Sequence, residues 1–246
     1  MAETQKPLTS SYYNQAWQEW DDFIKFNPGA RHRRRLVKKI LSPLHFESVL
    51  DVGCGNGELL SIMASIYPQA KLNGTDLSDF VISKNQKYYP QVDFKTLDIQ
   101  KDKLSESYDL VICSEVIEHI EDQKSTFRNL AEMVKSGGHL LLTCPTGHMY
   151  ETEKKFGHVH HPTIPELLEY ANSNGLICEK TINWGWPIYK ITKYLTNINS
   201  EWALKNFANG AYSPFSKFVS SVLFYLNFTN VPSTKGCQLF LLFKKL

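Results

Sequence analysis

The feature that most constrains this chain is the run Asp51-Val52-Gly53-Cys54-Gly55-Asn56-Gly57. It follows a short apolar segment, Ser48-Val49-Leu50-Asp51-Val52, and precedes residues 58–66, where Leu59, Leu60, Ile62, Met63 and Ile66 recur at helical spacing. A strand that turns through glycines into a helix brings backbone N–H groups and the positive helix end against a ligand. The spacing departs from the G-x-G-x-x-G of nicotinamide enzymes, because the third glycine comes one place early and Glu58 follows it. The Gly-Lys-Ser/Thr ending of a phosphate loop is absent too, so no lysine is at hand to neutralise phosphates. A carboxylate suits this turn better than a pyrophosphate does. Asp51 can meet an ammonium group, directly or through water. The expected ligand is an amino acid with a nucleoside attached.

Two later segments extend the site. Gly74-Thr75-Asp76-Leu77 closes the next strand, and an acidic residue about 20 places past the turn is placed to accept both ribose hydroxyls. Leu77 would pack on a base. Leu97-Asp98-Ile99 closes the third strand, where Asp98 could accept from an adenine amino group. One aspartate alone is as well read as a turn or helix cap. Three at successive strand ends form one crevice, and S-adenosylmethionine has the carboxylate, ammonium, ribose and adenine to fill it.

The same alternation runs on. Residues 70–75, 92–97, Tyr108 to Cys113, His139 to Cys144 and Leu176 to Asn183 read as strands. Residues 78–88, 123–135 and 163–174 read as helices, with Ser136-Gly137-Gly138 and Gly175 as stops. Upstream, residues 12–26 and 31–42 look helical on either side of Asn27-Pro28-Gly29. Past Trp184 the pattern becomes rich in Trp, Tyr, Phe and Asn, suggesting two or three short helices before a last apolar strand over 237–245. The expected fold is α/β, a doubly wound, mostly parallel sheet with an N-terminal helical lid and a helical insertion before the last strand. A single domain is expected, with helices over 1–44, a core over 45–183, a cap over 184–230 and the final strand over 231–246.

Charge and cysteine usage narrow the partners. The formal net charge is only +2, which gives no global field for DNA or RNA. The one basic run, Arg31-His32-Arg33-Arg34-Arg35 with Lys38 and Lys39, reads as a solvated helix face, or else as a phosphate or RNA contact. Five cysteines at wide spacings, with no C-x-x-C pair, fit a reducing cytoplasm rather than a disulfide framework. Residues 1–10 are polar, unlike a secretory signal, and no apolar run reaches the roughly 18 residues of a membrane span.

Val49-Leu50-Asp51-Val52-Gly53-Cys54-Gly55-Asn56-Gly57, Gly74-Thr75-Asp76-Leu77-Ser78, Tyr108-Asp109-Leu110-Val111 and Ser136-Gly137-Gly138 together resemble the class I methyltransferase superfamily, over about residues 45–183. The resemblance is nearest to ubiquinone-pathway O-methyltransferases and related small-molecule and glycan methyltransferases. It implies a seven-stranded sheet whose last strand runs antiparallel. It also implies S-adenosyl-L-methionine as cofactor, S-adenosyl-L-homocysteine as product, and Ser114, Glu115 and Val116 beside the adenine and sulfonium. Glu115, Glu118 and His119 fall at i, i+3 and i+4, so on a helix they would share a face. This set resembles the divalent-metal site of the ubiquinone-pathway enzymes and of small-RNA 2′-O-methyltransferases. Gly157-His158-Val159-His160-His161 could add His158 as a further ligand or as a base. Related enzymes carry the same segment without a metal, and a metal is not expected here.

The leading expectation is methyl transfer to an oxygen, less readily a nitrogen, of a small and partly apolar or aromatic molecule, with His158 or His119 as base. An RNA or protein methyltransferase docking through Arg31–Lys39 is one alternative, and a non-catalytic cofactor-binding module is another. The stretch 213–228, with Lys217 as its only charge, could touch a membrane surface or pair two copies.

Overall fold

The computed structural model describes residues 9–208 and 210–246; the rest of the polar N-terminal stretch, and Asn209 of the insertion, lie outside the described residues. The expected helix over 12–26 is two helices, α1 (Ser10–Glu19) and α2 (Asp21–Phe26). The break falls at Trp20, where Asp21 and Asp22 begin a new first turn and favour its positive end. The next helix, α3 (Pro28–Leu41), starts before the expected residue 31, because the Asn27 side chain accepts from the Ala30 N–H and Pro28 fills the first turn.

The alternating core follows as β1 (Ser48–Val52), α4 (Glu58–Ile66), β2 (Lys71–Asp76), α5 (Asp79–Tyr88), β3 (Asp93–Thr96) and β4 (Tyr108–Ser114). A 3₁₀ turn over Ile117–His119 leads to α6 (Gln123–Glu132), β5 (Val134–Pro145), α7 (Glu151–Lys155), α8 (Ile164–Ser173) and β6 (Leu176–Trp184). The insertion holds α9 (Ile188–Ile198), α10 (Ser200–Phe207) and α11 (Pro214–Leu226), and the last strand is β7 (Gln238–Lys245).

The sheet has seven strands in the order β3-β2-β1-β4-β5-β7-β6. The pairings from β3 through β5 are parallel, and β7 is antiparallel to both neighbours. The order reverses between β1 and β4, so their carboxyl ends open a crevice. The central strands read as unbroken apolar runs because they are buried on both faces. One core, around Val111, Leu140, Leu142 and Phe127, lies under α6 and α8. The other, around Leu110, Ile112, Leu141 and Met63, lies under α3 and α4.

Ser136-Gly137-Gly138 is not the stop of the sixth helix. That helix ends at Glu132, and the glycines lie inside β5 at a register shift, where Tyr108 faces Val134 but Leu110 already faces His139. A Cβ on Gly138 would sit 3.0 Å from the Asp109 and Lys135 carbonyls, so the close approach of the two strands needs glycine.

Candidate active site

The glycine turn leaves β1 at the switch point of the sheet. Gly53 and Gly55 both hold positive φ, 70° and 51°. A Cβ on Gly53 would overlap Val116, and one on Gly55 would overlap the Trp17 ring. The turn is anchored to β2, because the Gly53 and Cys54 N–H groups donate to the Thr75 carbonyl at 2.7 and 2.9 Å. Asp76 at the end of β2 accepts from the Gly55 and Ser78 N–H groups, each at 2.9 Å. Burial raises its carboxyl, and those N–H groups oppose the rise. Asp51 is 1% exposed, and neither carboxylate oxygen has a partner. Burial and the nearby Asp76 charge push its carboxyl up to about 8.

One cavity of about 820 Å³ gathers the predicted residues. Asp51, Gly53, Cys54, Gly55, Asn56, Asp76, Leu77, Asp98, Ile99, Ser114, Glu115 and Val116 all line it. Gly57 does not, since it precedes α4 as its N-cap with φ 78°. Cys54 is also part of the core beneath the turn. Asp98 lies 2.7 Å from Lys101.

Glu115, Glu118 and His119 do not share a helix face. Glu115 leaves β4 with φ 60°, its N–H still bonded to the Thr143 carbonyl at 2.9 Å, so no helix can start there. Its carboxylate takes Arg33 of α3 at 3.0 Å, Thr143 at 3.1 Å and Gln238 at 2.8 Å. The groups that do converge are Glu118, His119 and His158, and, overlapping them, Glu153, His158 and His161. In each set the ligand-capable atoms lie within 4.8 Å of one another. The two segments are stitched by Gln123, which donates to the Ile117 and His160 carbonyls at 2.8 and 3.1 Å, and by the Val159 N–H on the Glu118 carbonyl at 2.8 Å.

The imidazoles are held neutral. Burial pushes His119 down to about 4 and lowers His158 much further, with His119 and His161 beside it adding to the fall. His158 Nδ1 and His161 Nε2 are 2.9 Å apart, a hydrogen bond. Glu153 stands 4.0 Å from His161 and 2.5 Å from Lys193 of α9. Glu118 is fully buried with both oxygens unpartnered, and burial raises its carboxyl strongly, with Glu115 adding to the rise. Glu153, His161, Lys193 and Arg33 were not singled out from the sequence as site residues. His161 stood in the quoted His-rich run and Arg33 in the quoted basic run, whereas Glu153 and Lys193 had no local signal.

Helices from both ends of the chain close the cavity. Trp20 and Phe23 pack on Phe156 of the segment after β5, at ring separations of 5.9 and 5.7 Å. The insertion adds Tyr189, Phe207, Phe215, Val219 and Leu223. The basic run is largely engaged. Arg33 holds Glu115, Arg34 lies 3.9 Å from Glu58, and Arg31 and Arg35 lie over the Phe224 and Phe228 rings at 3.6 and 4.5 Å. Lys38 and Lys39 remain exposed.

S-adenosylmethionine is a chemical match for these residues. The unpartnered Asp51 can take an ammonium, the glycine turn lines the cavity beside it, and Asp76 presents two oxygens to a diol. The Asp51 shift makes a signed prediction. An ammonium needs the carboxylate, and below about pH 8 binding must first displace a proton. Cofactor affinity should therefore rise between about pH 6 and pH 8, by up to about tenfold per pH unit, and fall again above as the cofactor's own α-ammonium, which titrates at about 8, loses its proton. Calorimetry across that window checks it; a flat profile would mean that Asp51 does not meet the ammonium.

Comparison with known proteins agrees with this architecture. A family model described as a methyltransferase domain matches residues 7–180. The ubiquinone biosynthesis O-methyltransferase of Nitrosomonas europaea is 33% identical over 131 residues, covering 48% of this chain and 54% of that protein. The chain spans about half the length of that relative and of several other curated relatives it matches. Its counterpart from Shewanella pealeana is 25% identical over 215 residues, covering 77% and 90%. In fold, the chain is similar to the N-methyltransferase NodS from Bradyrhizobium japonicum, solved with S-adenosyl-L-homocysteine, with a TM-score of 0.61, 16% identity and coverage of 96% and 97%. With the family model matching well over half of its length on a seven-stranded sheet of this order, the chain belongs to the methyltransferase domain family, of the class I, S-adenosylmethionine-dependent kind.

Proposed function

We propose that this chain, acting as one catalytic domain, methylates an oxygen of a small, partly apolar or aromatic molecule. A single observation carries the proposal. One cavity holds the glycine turn, the acidic strand ends, the half-buried His158 imidazole and the apolar wall of the insertion. In this reading the turn amides hold the cofactor's carboxylate, Asp51 its ammonium, Asp76 the ribose hydroxyls and Asp98 the adenine amino group. When bound, S-adenosylmethionine supplies a methyl group already activated on a sulfonium. The protein's share is to align the acceptor and remove its proton. His158 is the base. It lines the cavity, and its hydrogen bond with His161 fixes the ring's orientation. The α1 and α2 aromatics and the insertion exclude water. Relatives that match the chain include O-methyltransferases of ubiquinone biosynthesis and of a malonyl-acyl carrier protein, which supports oxygen as the acceptor atom.

The acceptor chamber can be tested by filling it. Leu223 lines the cavity from α11. Leu223→Trp should raise KM for the acceptor by about tenfold or more while leaving cofactor affinity unchanged, since one ring displaces the acceptor's apolar part. Steady-state kinetics and calorimetry on the same sample read both. An unchanged KM would take the acceptor out from under the insertion.

A further inference from the structure

Two helices of the insertion turn apolar faces outward. On α9, Ile191, Tyr194, Leu195 and Ile198 recur at i, i+3, i+4 and i+7, the spacing of one helix face. All four are exposed, Tyr194 at 60% and Ile198 at 70%. On α11, Phe215, Phe218, Val222 and Tyr225 form a similar stripe, with Phe218 67% and Tyr225 69% exposed. Contiguous apolar surface of this kind marks contact with another apolar phase. These faces run into the cavity. Leu195, Ile198, Trp202 and Phe215 are exposed and also line it, so its mouth has an apolar rim.

Charge selects the occupant. Between Trp184 and Asn230 the chain carries Lys190, Lys193, Lys205 and Lys217 against Glu201 alone. Lys193 is turned inward onto Glu153, and the other lysines remain nearer the surface, Lys217 at 3.6 Å from Asp22. The neighbouring α3 adds Arg31 and Arg35, lying over Phe224 and Phe228 beside the same aromatic surface. Aromatic side chains rimmed by cations are complementary to anionic headgroups above an acyl layer. A second copy docked across a two-fold axis would bring the same cations face to face. Among the described residues no helix is long and apolar enough to cross a membrane, so the contact is with its surface.

We infer that the outward faces of α9 and α11 seat the cavity mouth on an anionic lipid bilayer. This goes beyond the methyl-transfer reading, and it can be read without any turnover. The test is co-sedimentation of the full chain with vesicles of phosphatidylglycerol and phosphatidylcholine, against vesicles of phosphatidylcholine alone. The protein should sediment with the anionic vesicles, less with the neutral ones, and less again as salt rises. Neither Tyr194 nor Phe218 lines the cavity. The double variant Tyr194→Glu with Phe218→Glu should lose about tenfold or more in vesicle affinity and keep wild-type S-adenosylmethionine affinity as its check on folding. If that affinity falls, Tyr194→Ser with Phe218→Ser takes over the comparison. Protein left in the supernatant with anionic vesicles overturns the inference, and so does a folded double variant that sediments like wild type. A concentration-dependent dimer that these substitutions break, with no vesicle binding, would give the surface to a second copy instead.

Discussion

Asp76→Ala is expected to weaken S-adenosylmethionine binding by at least about tenfold, because each charge-assisted hydrogen bond to a ribose hydroxyl is worth about 1.5–3 kcal/mol. The loss has a second source. Asp76 also accepts the Gly55 and Ser78 N–H groups, so its removal loosens the turn that cradles the amino-acid end. Both effects have the same sign, which places this substitution among the largest. Asp76→Asn separates them, since a side-chain amide oxygen can still accept from one N–H while the charge is gone. It should bind more tightly than the alanine variant and more weakly than wild type. Calorimetry reads all three; wild-type affinity in Asp76→Ala would remove Asp76 from the cofactor site.

His158→Ala should lower kcat by about 10²- to 10⁴-fold, the usual contribution of a positioned general base, with cofactor affinity unchanged. The pH profile follows from the direction of the shift. Burial, with the His119 and His161 rings and then Lys193 and Arg33 beside it, holds the His158 pKa far below its ordinary 6.5, so the base form persists on acidification. No loss of rate from this group is then expected as pH falls from about 7 to about 5. An acid limb near 6.5 that disappears in His158→Ala would mean that the ring is solvated during turnover. Chelation supplies an independent reading. Glu115 is held by Arg33, so one of the four candidate ligands is already engaged. Turnover should persist in EDTA. Loss restored by Mg²⁺ would assign Glu118, His119 and His158 to a metal instead.

What the sequence made legible was local. The glycine turn, Asp76 and Asp98 could be read because each sits at the end of an apolar strand within a few residues of its own signal. The antiparallel last strand came from the resemblance, since residues 237–245 show an apolar run and no direction. Two local readings failed where the backbone did something that side-chain spacing does not encode. Gly137 and Gly138 resemble a helix stop, yet they let β5 shift register against β4. Glu115 resembles the first member of a helical face, yet it leaves β4 in a left-handed conformation. The remaining site residues are brought in by topology. Arg33 meets a carboxylate 82 residues away. Lys193 looks like one of two surface lysines on α9 until the helix folds back on Glu153.

The measurement that bears most directly on the account is transfer of a labelled methyl group. The protein is incubated with methyl-labelled S-adenosylmethionine and a panel of phenols, apolar carboxylic acids and amines. Mass spectrometry then follows the label and the S-adenosyl-L-homocysteine formed. Label is expected on an oxygen of an apolar acceptor, with an equimolar amount of S-adenosyl-L-homocysteine, and both should form about 10²- to 10⁴-fold more slowly in His158→Ala. Tight cofactor binding with the label returned unconsumed across the whole panel would contradict it.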